Sequence, residues 1–409
     1  MLRVSGCARA VPKAAFRAPG GAFRYTSRVA KPRGKKKPAS EGRAKRGGAA
    51  AKSSASAEFP IAPDEAREDS PSAESAQPEG EGRAAEAAPE SPDPGRPGSP
   101  GASAAVPAGF KSGFVAIIGL PNAGKSTLVN ALVGRKVAIV SAKPQTTRNR
   151  IVGIVHRPEA QIVLVDTPGL HRPATALGRH MDEEIEKGIE GVDLVAVIVD
   201  STREFSREDR FPIERSRRFP GPAFLLLNKV DRIRKDRLLP LIERYHGERE
   251  WAEIIPISAL KGEGRDVLLR ELVRYLPEGP PLFPPDQFTD QPERFLAAEL
   301  VREKALALTE QEVPYSIGVA IDQFQESERL VRIYASILVE RAGQRGILIG
   351  KGGSMIKRIG TEARLELEQL FGVKIYLELY VKVRPGWRDD SSMVNELDWR
   401  REFEHMSGE

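Results

Sequence analysis

Eight residues, Gly119-Leu-Pro-Asn-Ala-Gly124-Lys125-Ser126, place two glycines, a lysine and a hydroxyl directly after the apolar run GFVAIIG (113–119). Glycines let successive backbone N–H groups wrap a phosphate, and a helix opening at Lys125 aims its positive end at the same anion. The spacing assigns Lys125 to the β- and γ-phosphates and the Ser126 hydroxyl to Mg²⁺, with Pro121, Asn122, Ala123 and Thr127 completing the loop. Three more motifs end apolar runs. Asp166-Thr167-Pro168-Gly169 closes QIVLVD (161–166). A carboxylate there can hold Mg²⁺ through water, and the Gly169 N–H can meet a γ-phosphate, tying the next segment to nucleotide state. Asn228-Lys229-Val-Asp231 closes AFLLLN (223–228). A carboxylate accepts two hydrogen bonds from the N1–H and N2–H₂ edge of guanine, which adenine lacks, so Asp231 selects GTP. Asn228 then holds the loops and the N7 side, and Lys229 packs its stem over the base. Ser258-Ala259-Leu260 follows EIIPIS (253–258), with the Ala259 N–H placed for guanine O6. Singly, DTPG is only a turn signal. In this order the four motifs predict a hydrolase of GTP, with Lys125 and Gly169 among its catalytic groups.

A second glycine loop, Gly350-Lys351-Gly352-Gly353, lies in GILIGKGGSMI (346–356). It lacks the four-residue gap before Gly-Lys-Ser, and its apolar flanks read as helix on both sides, so it is not a second triphosphate loop. A Gly-x-x-Gly turn between two helices suits a sugar-phosphate backbone. Arg341, Arg345, Lys357 and Arg358 surround it, with no acid between 341 and 361, although 291–409 carries seventeen bases against twenty acids. RNA contact is therefore assigned to Arg345, Ile349, Gly350, Lys351, Gly352, Gly353, Lys357 and Arg358. Ile347, Ile349, Met355 and Ile356 are placed to line a groove for unstacked bases, but core packing claims at least two of them.

The positioning elements follow from periodicity. Over 112–277, apolar runs at 113–119, 151–155, 161–166, 194–200, 223–228 and 253–258 alternate with helical patterns at Lys125–Leu132, Leu177–Ile189, Arg207–Arg218, Asp236–Tyr245 and Gly264–Leu276. Continuous apolar strands separated by helices predict an α/β domain, a mainly parallel sheet with helices on both faces, whose ligand sits at the strand carboxyl ends. Residues 278–290, rich in proline, read as a semi-rigid connector. Over 291–388 the pattern changes to helix Glu293–Leu308, strands Tyr315–Gln325 and Arg329–Glu340, a short helix Gln344–Ile349, the glycine loop, helix Ser354–Phe371 and strand Val373–Val383. That α-β-β-α-α-β order is that of an α+β type II KH domain.

The four nucleotide motifs, the tract Lys143-Pro-Gln-Thr-Thr-Arg148 with NRIVGI (149–154), DTPGLHRP (166–173), and GILIGKGGSMIKRIG with TEAR and LYVKVRPGWRDD together resemble the Era family, a P-loop GTPase followed by a KH domain. The resemblance spans about 112–390. It implies that Thr146 or Thr147, preferably Thr147, is the switch I ligand of Mg²⁺, with Ser126 and Asp166 as the other metal-holding groups. It further implies that Asn122 helps hold K⁺ as a substitute for an arginine finger, where a plain turn-stabilising asparagine is the other reading. It implies GTP/GDP exchange, small-subunit ribosomal RNA bound near its 3′ end, and assistance to assembly of a 30S-type ribosomal subunit by a monomer, with peripheral membrane association among the expectations. Leu170 stands where Ras-like enzymes carry a water-orienting glutamine, so intrinsic hydrolysis should be slow and stimulated by RNA and K⁺. Two other readings fit the same motifs: an RNA-binding module whose nucleotide barely turns over, and a GTPase whose partner is a protein or membrane.

Charge is unevenly spread. Residues 1–50 hold fourteen Lys/Arg and one acid, residues 51–110 four bases and eleven acids, and the remainder is neutral. The net charge of +6 thus says nothing of the folded part. The extension 1–110, rich in Ala, Gly, Pro and Ser, is expected to be disordered. Its Arg-rich, acid-free start fits either a basic arm in a bacterial cytoplasm, the favoured reading, or a mitochondrial or plastid transit peptide. The single cysteine, Cys7, excludes a disulfide or cysteine-zinc framework within the chain. The apolar runs are far short of a spanning helix. The tail 389–409 suggests no function.

Overall fold

The computed structural model describes residues 107–170, 173–311 and 313–398. The expectations for 1–106, for His171 and Arg172, and for the tail beyond 398 lie outside the described residues.

Six strands make the first sheet: β1 (Lys111–Ile118), β2 (Ile151–His156), β3 (Ala160–Asp166), β4 (Leu194–Asp200), β5 (Ala223–Asn228) and β6 (Glu253–Pro256). Their order is β2-β3-β1-β4-β5-β6. All neighbours run parallel except β2, which pairs antiparallel with β3 because only a short turn joins them. The unbroken apolar runs split by period two between opposite faces. Leu194, Ala196 and Ile198 of β4 join one core with α1 (Lys125–Val133) and α5 (Arg265–Tyr275). Val195, Val197 and Val199 join another with α3 (Arg210–Arg217) and α4 (Leu238–His246). Helix α2 (Ala176–Ile189) follows the DTPG motif. Helix α3 starts three residues later than periodicity predicts. Asp209 accepts from the Ser206 N–H and hydroxyl, each at 2.8 Å, and this turn occupies the first predicted residues.

The second domain contains α6 (Glu293–Leu308), β7 (Gly318–Glu326), β8 (Leu330–Val339), α7 (Ala342–Ile349), α8 (Ser354–Phe371) and β9 (Lys374–Val383). β7 and β8 pair antiparallel, β8 and β9 parallel. Ile359, Ala363 and Leu367 repeat every four residues along α8 and bury one stripe against the sheet. β7 begins three residues later than expected because Pro314–Ser316 forms a 3₁₀ turn. The connector is a fixed edge cover. Its Phe288 carbonyl accepts from Ile154 N–H of the edge strand β2 at 2.8 Å. Gln161 Oε1 accepts from the Leu282 and Phe283 N–H groups at 2.6 and 2.9 Å, and Gln161 Nε2 donates to the Phe283 carbonyl at 2.8 Å. A last helix, α9 (Ser391–Glu396), is capped by Asp390 and packs Val394 with Trp387 against Leu177 and Met181 of α2.

Candidate functional site

Strand β1 delivers the glycine loop, β3 delivers Asp166, β5 delivers Asn228, and the segment after β6 delivers Ser258 and Ala259. All converge at the carboxyl edge of the sheet, around a cavity of about 440 Å³. Pro121, Lys125, Ser126, Thr147, Gly169 and Asp231 are among its walls. The glycines are there for space. A Cβ on Gly119 would sit 2.4 Å from the Ile198 carbonyl oxygen, and one on Gly124, at φ +104°, would sit 2.2 Å from Asn228 Nδ2.

The Lys125 ammonium is buried and donates to the carbonyls of Gly119 and Leu120, both at 3.1 Å. Burial pulls its pKa down to about 8, with Asp166 opposing the shift. Burial likewise pushes the Asp166 carboxyl up to about 6, against Lys125 and a hydrogen bond from Ser126. Ser126 Oγ donates to Asp166 Oδ2 at 2.6 Å and lies 2.9 Å from Thr147 Oγ1. Thr146 differs, since its hydroxyl donates to the Lys143 carbonyl at 2.6 Å. Geometry thus separates the two threonines: Thr147 joins Ser126 and Asp166, and Thr146 does not.

On the base side, Asn228 Nδ2 donates to the Ala123 carbonyl at 2.8 Å and joins two loops. Asn228 Oδ1 accepts from the Ala259 N–H at 2.9 Å, so the donor expected for guanine O6 is engaged with Asn228. Ser258 Oγ donates to Asp231 Oδ1 at 2.6 Å, orienting that carboxylate. Lys229, at φ +67°, bonds Asp200 at 2.6 Å. Burial alone would raise the Asp200 carboxyl, but Lys229 and Thr202 hold it below its ordinary value. Thr167 turns inward to the Ile117 carbonyl, and Leu260 stays exposed at the cavity mouth. The Leu170 side chain is buried, and its N–H donates to the Gly119 carbonyl. Asn122, at φ +61°, donates from Nδ2 to the Ala142 carbonyl at 2.9 Å, linking the phosphate loop to the irregular segment 134–150.

The second glycine loop joins α7 to α8 as expected from its flanks. Gly350 has φ +74°, and a Cβ there would lie 2.7 Å from Met355 Cβ. Gly352 and Gly353 also have positive φ, with open space around them. Arg345, Lys351, Lys357 and Arg358 are exposed, and Arg358 is paired with Glu362 at 2.8 Å. Ile347 is half exposed, Ile349 less so, and Met355 packs toward the core.

Motif reading missed a set of residues that act across the two domains. Asn130 of α1 fastens the start of the 134–150 segment through Val137 and Ala138. Glu303 of α6 accepts from the Val140 N–H at 2.9 Å and pairs with Lys136. Arg302 of α6 donates to the Thr146 carbonyl. Arg148 donates to the Ile317 carbonyl at 2.7 Å and lies over the Trp387 ring. The partners of Glu303, Arg302 and Arg148 are more than 150 positions away, and short motifs do not register such pairs. The one available signal was the apolar periodicity of α6 broken by Arg302 and Glu303.

Comparison with known proteins gives two family matches: a family described as 50S ribosome-binding GTPase over residues 114–229, and a KH domain over 312–388. The GTPase Era of Syntrophus aciditrophicus is 50% identical over 292 residues, covering 71% of this chain and 95% of the relative. That of Ruminiclostridium cellulolyticum is 47% identical over 292 residues, covering 71% and 98%. Among solved structures, Era in complex with MgGDPNP and nucleotides 1506–1542 of 16S ribosomal RNA superposes with TM-score 0.68 at 43% identity, covering 71% of this chain and 99% of that one. Aquifex aeolicus Era bound to GDP and AlF4⁻ gives the same TM-score, identity and coverage. With both domains, their order and nearly the full length of these relatives matched, the chain belongs to the Era family of GTPases.

Proposed function

We propose that this chain is a GTP-hydrolysing switch that binds small-subunit ribosomal RNA near its 3′ end through the KH domain and assists maturation of a 30S-type subunit. The observation that carries the switch reading is the meeting of Thr147, Ser126 and Asp166 within hydrogen-bond distance. These three groups come from the irregular segment 134–150, the phosphate loop and a strand end, and Asp166 Oδ1 is buried with no protein partner among the described residues. The donor set of two hydroxyls and one carboxylate fits a hard divalent cation, so these residues would hold Mg²⁺. Bound Mg²⁺ would neutralise charge developing on the β- and γ-phosphate oxygens. Lys125 would exchange its two loop carbonyls for phosphate oxygens, and the Gly169 N–H would meet the γ-phosphate. The buried Leu170 has no group to orient water. Asn122 spends its amide nitrogen on the Ala142 carbonyl, and its side-chain oxygen is the atom that would meet a K⁺ between the phosphate loop and switch I, which would supply the missing positive charge. The RNA bound in the Era structure at 43% identity, together with the exposed lysines and arginines around Gly350–Gly353, supports the RNA half of the reading.

Single-turnover GTP hydrolysis tests it, with K⁺ exchanged for Na⁺ and with an RNA of the small-subunit 3′ end added or withheld. We expect a loss on the order of 100-fold without K⁺, the scale of removing one transition-state charge partner. We also expect stimulation by the RNA. Turnover indifferent to both would leave a nucleotide-bound RNA scaffold instead. The proposed setting is a monomer in a bacterial cytoplasm, touching the inner membrane peripherally. A mature amino terminus lacking the Arg-rich leader would move it to an organelle.

A further inference from the structure

Four consecutive residues of switch I are each tied to a different element. The Thr146 carbonyl is held by Arg302 of α6, Thr147 by Ser126 of α1, Arg148 by the Ile317 carbonyl of the second domain, and Asn149 Oδ1 lies 2.8 Å from His180 Nε2 of α2. The most constrained tie is Arg302, which is 2% exposed. Glu299, one turn earlier on α6, grips its guanidinium with both oxygens, at 2.7 Å to Nε and 2.6 Å to Nη2. Such a bidentate grip fixes the plane of the guanidinium. The remaining reach of Nη2 is spent on one backbone carbonyl, immediately before Thr147.

This is an expensive way to glue two domains. Arg148 is buried beside Arg302, and burial, then the Arg302 charge, pulls the Arg148 pKa down to about 9. Two buried guanidiniums therefore share Glu299 as a nearby carboxylate. Apolar side chains of similar volume would pack the same interface at lower cost. What an ion pair offers that a leucine does not is a fixed direction for one donor.

We propose that Arg302 is a positioning residue for the nucleotide site: by holding the Thr146 carbonyl from the RNA-binding domain, it sets where the Thr147 hydroxyl stands relative to Ser126 and Asp166. The inference rests on the proposed Mg²⁺–GTP role of those three groups. It gives the second domain a direct hand on the metal-holding set, two bonds from the threonine that GTP must recruit. Glu299 aims the guanidinium and Arg302 passes that aim to the backbone of switch I.

The test uses the full-length chain with Arg302→Gln, Arg302→Lys and Glu299→Gln. For each, the Mg²⁺ concentration giving half-maximal GTP turnover is measured, along with GTP affinity, GDP affinity and thermal unfolding. Arg302→Gln should raise the Mg²⁺ requirement by about tenfold, the effect of removing an outer-shell support of a metal site. GDP affinity, which does not recruit Thr147, should stay within about twofold, well below that scale. Arg302→Lys should restore part of the loss, since an ammonium can still reach the carbonyl but cannot take the Glu299 fork. Glu299→Gln should shift the requirement in the same direction by a smaller factor, and it serves where Arg302→Gln fails to fold. An unmoved Mg²⁺ requirement in all three variants overturns the proposal. So does an equal fall in GTP and GDP affinity, which would mark Arg302 as structural. A wild-type chain without Mg²⁺-dependent GTP turnover would instead sink the reading beneath it.

Discussion

Asp231 is the carboxylate we propose to make the site selective for guanine. It sits at the end of the β5 loop, facing the cavity, with one oxygen already fixed by Ser258 Oγ at 2.6 Å. An oriented carboxylate left opposite adenine has no donors to accept, and the unmet acceptor is the source of discrimination. Asp231→Asn reverses the polarity of that edge. It should weaken GTP by about 100-fold or more and shift preference toward xanthosine triphosphate, whose N2 position carries an oxygen. Competition of the two nucleotides against a fluorescent GDP analogue reads this directly, and unchanged preference would show that Asp231 does not read the base. Residue types and spacing were enough to bring Asp231 to the cavity as a candidate for this role. They were not enough for Ala259, whose N–H is engaged by Asn228, because the bond depends on how two loops fold against each other. The preference for Thr147 over Thr146, drawn from the resemblance, gains its geometric support only in three dimensions, from which hydroxyl turns toward Ser126.

The α7–loop–α8 unit holds a glycine turn between two helices, flanked by exposed lysines and arginines, and its three glycines are not equivalent. Gly350 combines φ +74° and ψ 172°, a region closed to side chains, with Met355 Cβ 2.7 Å from any added Cβ. Gly352 and Gly353 have positive φ but open surroundings. Gly350→Ala must therefore distort the turn itself, at a local cost of roughly 1–3 kcal/mol. We expect RNA affinity to fall by about tenfold, the 1.4 kcal/mol equivalent, while GTP affinity is unaffected. Binding of a 3′-end RNA measured in parallel with nucleotide binding checks it, and equal loss of both would mean that the unit supports the whole fold rather than the RNA contact. Elements of this kind were legible because periodicity and glycine spacing are local. The shifted starts of α3 and β7 were not, since the Ser206–Asp209 turn and the Pro314–Ser316 turn depend on particular side-chain and carbonyl contacts.

At the scale of the molecule, switch I and helix α2 both touch the second domain. Switch I is tied to α6 through Arg302 and Glu303, and α2, which follows DTPG, lies under Trp387 and α9. None of this is visible in the chain's motifs, because every pair joins distant positions, and the tail after Asp390 suggested nothing at all by composition. Its contact now suggests a role. Val394, 3% exposed, packs with Met181, 0% exposed, so α9 holds α2 in one place against the KH domain. If GTP favours the same arrangement that RNA favours, the two ligands must help each other by one and the same factor. We expect that factor to lie in the range of about 5–150, corresponding to 1–3 kcal/mol of coupling. It is measured twice: as the ratio of RNA affinities with a GTP analogue and with GDP, and as the change in the GTP-to-GDP affinity ratio on adding RNA. A chain ended after Asp390 keeps the KH match, Trp387 and the whole nucleotide site, and loses α9, Leu397 and Asp398 together with the residues beyond 398. Both measurements should shrink together in that chain, while the GDP affinity without RNA stays put. A factor equal to that of the full chain would show that α9 is packing alone, and that coupling runs through α6 and switch I without it.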